Sequence, residues 1–387
     1  MLRRFMAAWT LLLAATVTGS AQEPPRVTLG WGVDTAATGW SELAWHHDVP
    51  GIYRAWREFL RATPGTPGAD TLWSASERRA WPAYDLTSAA AHQGFPATVL
   101  DIRPAAPGQG DSFVVETLFA NAVEPEYDVK PVALTRVYAV RENGRWVFAN
   151  ALPRLTAGWH RVRLGPITYV FSPLHRFDGA RAEDALHFAD SLATAFGLLR
   201  IEPMTYYVAD SPAELLRIIG VEWTLGGQGY GYAMRANRLL LTGDPGFGEE
   251  NRHELTHYVL SPLVKWGRTH PLVSEGVASW LGGTMGRPYP VMMREYAAFL
   301  RANPQITLDS VMEAAPDLGV RPGGAMLALM VFERGGVPAV KALFDGGSSD
   351  VALRQSVERL LGIPWARVQT TWRERVEASA APRAGIR

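Results

Sequence analysis

The spacing of apolar positions changes period along the first 150 residues. Between residues 41 and 62, Trp45, Ile52, Trp56, Phe59 and Leu60 recur at broadly helical intervals, which predicts an amphipathic helix. A Pro/Gly-rich break over 63–68 ends it, and a second helical stretch follows over 73–91. The texture then becomes strand-like: 97–103, 112–120, 132–141 and 146–152 all favour β-branched or aromatic residues. The run Gly108-Gln109-Gly110-Asp111 and the pair Asn143-Gly144 punctuate these segments, and the second predicts a tight hairpin. Near Trp159 the pattern turns to alternation. A strand over 165–172 leads to a helix over 180–196, and a strand over 204–209 leads to a helix opened by Asp210-Ser211-Pro212. A glycine-rich bend, Gly226-Gly227-Gln228-Gly229, precedes a strand over 231–242, and residues 247–378 read mostly helical.

Helices, then antiparallel strands, then a second mixed unit place the chain in the α+β class. Its length of 387 residues favours two domains. The expected division is an N-terminal α+β accessory domain over 22–158 and a second domain over 159–378, with a small mixed sheet and a mostly helical C-terminal half. Residues 379–387 are expected to form a flexible tail. Residues 1–21 have the order of a secretory signal: Arg3 and Arg4, an apolar run from Phe5 to Val17, then Gly19-Ser20-Ala21 before Gln22. That run is too short to span a bilayer as a helix, so no stable membrane insertion is expected after cleavage. The mature chain is expected to be secreted or periplasmic.

Composition removes several classes of function. The 38 basic and 38 acidic side chains cancel, leaving no footprint for nucleic acid. Cysteine is absent, which excludes disulfides, thiolate metal sites and cysteine nucleophiles. Any metal site must therefore use histidine and carboxylates. No G-x-S-x-G run is present, and the bend at 226–231 lacks the Lys-Ser/Thr of a phosphate loop.

The run His253-Glu254-Leu255-Thr256-His257 carries the chemistry. On a helix, residues four apart share a face, so both imidazoles can offer a nitrogen to one zinc ion. Glu254 then sits beside the open coordination position, where it can take a proton from water. A catalytic zinc needs a third protein ligand. Glu275, in Ser274-Glu275-Gly276-Val277-Ala278-Ser279-Trp280-Leu281, lies 18 positions beyond His257, far enough for a turn and a second helix crossing the first. A third histidine six residues after His257 is ruled out, because position 263 is Leu.

Together, the H-E-L-T-H run and S-E-G-V-A-S-W-L resemble the gluzincin zinc metallopeptidases of the peptidase-MA-like kind. In those, H-E-x-x-H stands on one helix and a glutamate ligand in an E-G-x-A setting on the next. The resemblance covers about 165–378, including the run from Trp365 to Trp372. It implies a zincin-like catalytic domain with His253, His257 and Glu275 as zinc ligands and Glu254 as general base. It also implies a peptide or protein substrate, lying along an edge strand that includes Gly231, Tyr232 and Ala233. The N-terminal unit resembles the curved-sheet cone of the nuclear-transport-factor-two-like superfamily. A peptidase of this kind needs a further donor for the oxyanion. His270, Tyr289 and Tyr296 are the candidates, with His270 and Tyr289 also counted as substrate contacts. The similar subgroup often has a tyrosine before the next long helix; Arg321-Pro322-Gly323 stands there instead. A zinc-containing protein that binds peptides without cutting them is the alternative reading. His46, His47, His175 and His187 lack partners at ligand spacing, and Trp31, Trp40, Trp45, Trp56, Trp73 and Trp81 are expected to fill the first core.

Overall fold

The computed structural model describes residues 27–32, 47–62, 67–90, 95–106, 111–123, 128–225, 229–244, 246–265, 267–313 and 319–379. The expected signal segment, Trp40, Trp45, His46, most of the Gly226–Gly229 bend and most of the tail lie outside these residues, as does the side chain of Trp31. The first unit comprises β1 (Val27–Gly32), α1 (Val49–Arg61), α2 (Pro67–Asp70), α3 (Ala75–Ala80), β2 (Ala97–Pro104), β3 (Ser112–Val123), β4 (Asp128–Glu142), β5 (Arg145–Ala149) and α4 (Ala151–Leu155). Next come β6 (His160–Leu164), β7 (Ile167–Phe171), α5 (Gly179–Ala195), β8 (Met204–Val208), α6 (Pro212–Ile218), β9 (Val221–Thr224), β10 (Gly231–Met234) and β11 (Leu239–Thr242). The remainder is helical: α7 (Arg252–Leu260), α8 (Pro271–Gly282), α9 (Tyr289–Ala302), α10 (Leu308–Glu313), α11 (Val320–Phe344, broken at Gly335-Gly336), α12 (Asp350–Leu361) and α13 (Trp365–Ala378). The fold is α+β, built on two sheets.

The first sheet runs β1-β2-β3-β4-β5. Asn143 and Gly144 both take positive φ, as a two-residue hairpin with the strands' own twist requires, and they join β4 to β5. The apolar stripe of α1, namely Val49, Ile52, Trp56, Phe59 and Leu60, packs on this sheet with Trp73, Phe113 and Phe148. Trp56 and Trp73 are buried, as expected of core fillers, and Trp56 donates its indole N–H to Thr117 Oγ1 at 2.9 Å. The helix expected over 73–91 is shorter. It stops at Ala80, just before Trp81-Pro82, because proline removes a donor and disfavours helix at the residue before it; a 3-10 turn at Leu86–Ala90 follows.

The second sheet has the order β10-β11-β8-β7-β6. Two strands pair where one was expected over 231–242. Arg238 takes a left-handed φ of 53°, closing the turn after Arg235–Asn237 that folds β10 back antiparallel on β11. One strand of the second unit leaves it: β9 pairs with β4, so the first sheet has six strands. A core of Leu86, Leu152, Trp159, Val170, Tyr207, Leu216 and Leu241 spans the same junction. Asn237 reinforces it by accepting from Ala83 N–H at 2.9 Å and donating to Ala83 O at 2.7 Å. The largest core lies on the other face of the second sheet, among α5 and α7–α13. Among the described residues, no helix is long and apolar enough to cross a membrane.

Candidate metal centre

The helix α7 is bolted to the sheet at its N-terminus. Asn251 caps it, its side-chain oxygen accepting from Glu254 N–H at 3.2 Å. The same side chain donates to Thr242 Oγ1 on β11, and its backbone N–H donates to Tyr206 Oη on β8 at 3.0 Å. These bonds fix the rotation of α7 and so the direction of His253 and His257. The next helix, α8, crosses so closely that a Cβ on Gly282 would strike the Arg252 carbonyl. At Gly276 it meets α11 backbone to backbone, since a Cβ there would collide with Gly324. Glycine at 276, 282 and 324 is what lets the three helices approach, and Glu275 stands beside the Gly276 contact.

His253, His257 and Glu275 converge. The two imidazole Nε2 atoms are 3.2 Å apart. Glu275 Oε2 lies 3.4 Å from His253 Nε2, and Oε1 lies 3.3 Å from His257 Nε2. A tetrahedral ion with bonds of about 2.0–2.1 Å needs donors about 3.3–3.4 Å apart. The spacing fits. His253 Nδ1 is 2.8 Å from the Gly283 carbonyl, which can only accept, so Nδ1 carries the proton and Nε2 presents a lone pair. Ser274 Oγ lies 3.4 Å from His257 Nδ1. These three residues could hold a metal ion.

The charges agree with a cation site. Burial opposes charge on His257, yet Glu275 holds its pKa above the ordinary value. Burial likewise opposes ionisation of Glu275, but His257, His253 and Arg321 keep its carboxyl well below the usual range. A proton on His257 satisfies one pair of acceptors at a time. A divalent cation at the centre would satisfy all three.

Glu254, half-buried, projects toward β10, where a Cβ on Gly231 would lie 2.5 Å from its Cγ. Only glycine leaves room for it. Along β10, Ala233 packs toward the helical core, whereas Tyr232 and Met234 face the core on the opposite side of the sheet. Of the expected edge-strand contacts, Gly231 and Ala233 therefore border α7, and Tyr232 points away. His270 is not brought to the cluster. It is buried as the N-cap of α8, where Nδ1 accepts from Leu272 N–H at 3.1 Å and Nε2 is 2.9 Å from Asp350 Oδ1. Both ring nitrogens are committed, which leaves none for substrate. Tyr289 opens α9 and packs on the helical core. Tyr296 is buried against Phe299 and Trp372, with burial raising its pKa.

Arg321 is the residue that sequence reasoning missed. In the first turn of α11, its Nε donates to Glu275 Oε2 at 3.0 Å. Partial desolvation of this otherwise exposed side chain would lower its pKa, but Glu275 and Glu254 hold it above the ordinary value. The only signal in the sequence was its place, in Arg321-Pro322-Gly323 at the head of a long helix. A second buried acid, Glu249, precedes α7. Its carboxylate accepts from Asp178 N–H at 3.1 Å and sits 2.7 Å from His175 Nε2, closing the loop onto the start of α5. No protein-family model matches the chain, and no curated protein matches it.

Proposed function

We propose that the chain is an extracytoplasmic zinc-dependent peptidase of gluzincin type. The observation that carries this reading is the convergence of His253, His257 and Glu275 on one point at tetrahedral donor spacing, with Glu254 held beside it. The donor set of two imidazoles and one carboxylate suits zinc and leaves a coordination position open. When bound, zinc would polarise the scissile carbonyl and lower the pKa of its water towards 7.

The chain's own residues do the rest. His253 and His257 present Nε2 from one face of α7, with Gly283 O fixing the first ring's tautomer. Glu254 takes a proton from the attacking water and returns it to the leaving amine nitrogen. Asn251 and Gly231 hold that carboxylate in place, one by capping the turn below it and the other by yielding space. The edge of β10 lies against α7 and offers backbone groups to an extended peptide, whose side chains then alternate toward and away from the helix. The first sheet, in this reading a cone like that of the nuclear-transport-factor-two-like superfamily, is joined to this domain through β9 and is assigned no chemistry of its own.

The test is zinc content and cleavage of a random peptide pool, with wild type beside Glu254→Gln. The reading predicts zinc in both and cleavage by wild type alone. If both hold zinc and both are inert, the chain is a zinc-containing peptide-binding protein. If wild type holds no zinc, the peptidase reading falls.

A further inference from the structure

We propose that Arg321 stabilises the oxyanion of this reaction through the terminal nitrogens of its guanidinium, an inference that rests on the peptidase reading above. Hydrolysis develops negative charge on one oxygen. Water adds to the scissile carbon, the C=O π pair moves onto oxygen, and the water proton goes to Glu254. Collapse re-forms C=O, breaks the C–N bond, and delivers the Glu254 proton to the departing nitrogen. A donor aimed at that oxygen has to stand beside the cluster and keep a hydrogen free.

The sequence-derived candidates fail this requirement. His270 spends both nitrogens on Leu272 and Asp350, Tyr296 lies in the helical core, and Tyr289 packs on that core. Tyr232 faces the far side of its sheet. Arg321 meets the requirement. Among the described residues, the guanidinium's one hydrogen bond runs from Nε to Glu275 Oε2, and neither terminal nitrogen has a partner. That bond anchors the planar group beside the cluster. The Arg321 side chain is 47% exposed.

The charge count favours a cation over a neutral hydroxyl here. Glu275 offsets half the charge of a divalent ion, and Glu254 becomes neutral as it takes the water proton, so the oxyanion develops beside one net positive charge. Arg321 adds a second. Because the bond from Nε to Glu275 already holds the guanidinium, less reorganisation accompanies the reaction.

Arg321 could instead only hold Glu275, so the experiment separates the two roles. Arg321→Gln is compared with wild type for zinc content, kcat and KM. Calorimetry measures the affinity of the zinc-loaded proteins for a phosphinic pseudopeptide, in which a tetrahedral phosphinate replaces one peptide bond. The matched peptide is measured on the Glu254→Gln background with and without Arg321→Gln. The expected result is stoichiometric zinc, kcat lower by about 10²–10³ and KM within about threefold. Affinity for the phosphinate falls in step with kcat, affinity for the peptide is unchanged, and millimolar guanidinium restores part of the activity of Arg321→Ala. Zinc affinity falling in step with kcat would reduce Arg321 to a support for Glu275 and overturn the proposal. So would undiminished phosphinate binding. Should wild type cleave and Arg321→Gln cleave equally well, the peptidase reading survives and this assignment alone falls. A wild type that holds no zinc and binds no phosphinate ends both.

Discussion

Two carboxylates, Glu77 in the first unit and Glu275 in the second, are surrounded by polar groups, and their neighbours differ in kind. Glu77 is met only by donors. Trp73 Nε1 and Asn150 N–H each donate to its Oε2 at 2.9 Å, and Asn150 Nδ2 adds a third bond. Asn150 is itself fully satisfied, accepting from Leu86 N–H and donating to Tyr84 O. Nothing is left over for a ligand. Glu275 instead faces two imidazole Nε2 atoms at 3.3–3.4 Å, that of His253 in the tautomer that cannot donate to it, and its one donor of fixed direction is Arg321 Nε. The three inward-facing donor atoms of His253, His257 and Glu275 are not matched by hydrogens of their own. A matched polar cluster is a fastener, and a mismatched one is a site.

That contrast can be broken in order of expected effect. Glu254→Gln should lower kcat by about 10²–10⁴ while zinc content stays at wild-type level, measured by peptide cleavage and elemental analysis. Removing the carboxylate in Glu275→Ala should weaken zinc binding by more than the roughly 10–100-fold typical of losing a group that merely supports a ligand, measured by chelator competition. Gly231→Ala should leave zinc in place and cut kcat about tenfold, because the new methyl displaces the Glu254 carboxylate. Unchanged turnover there would mean that Glu254 works from another position.

Glu77 should behave in the opposite way. Glu77→Ala should cost about 1–3 kcal/mol of stability, from stranding the Trp73 and Asn150 donors, with zinc affinity unaffected. Its pH response has a definite sign. Burial raises the Glu77 pKa from 4.5, against the hydrogen bonds of Asn150 and Trp73. The folded state therefore binds the proton more tightly than the unfolded chain, and the stabilisation is full below about 4.5 and lost as pH rises through the folded value. Thermal melts of Glu77→Gln should lack that slope. The smallest effect is expected from His270→Ala, which should cost about 1 kcal/mol through loss of the α8 cap and leave zinc content near normal.

What could be read in advance follows the reach of each interaction. His253 and His257 share a face because of helical geometry four residues apart, so spacing alone was enough. The Asn143-Gly144 turn was legible for a similar reason: its backbone demand is local. The division of β10 from β11 was not, because it depends on Arg238 adopting a left-handed conformation that arginine does not advertise. Nor was β9, a four-residue strand of the second unit whose partner, β4, precedes it by some eighty positions. Arg321 lies 46 residues from Glu275, and only the crossing of α8 and α11 at Gly276 and Gly324 brings the two together. The glycines were visible in the sequence; the fact that they face one another was not.

The most direct test of the account is anomalous diffraction across the zinc edge from crystals of the protein grown with stoichiometric zinc. The account predicts one strong peak in contact with His253 Nε2, His257 Nε2 and the Glu275 carboxylate, lost in Glu275→Ala crystals. A map with no peak at those three side chains, or with zinc held elsewhere while they remain hydrogen-bonded to one another, would contradict it.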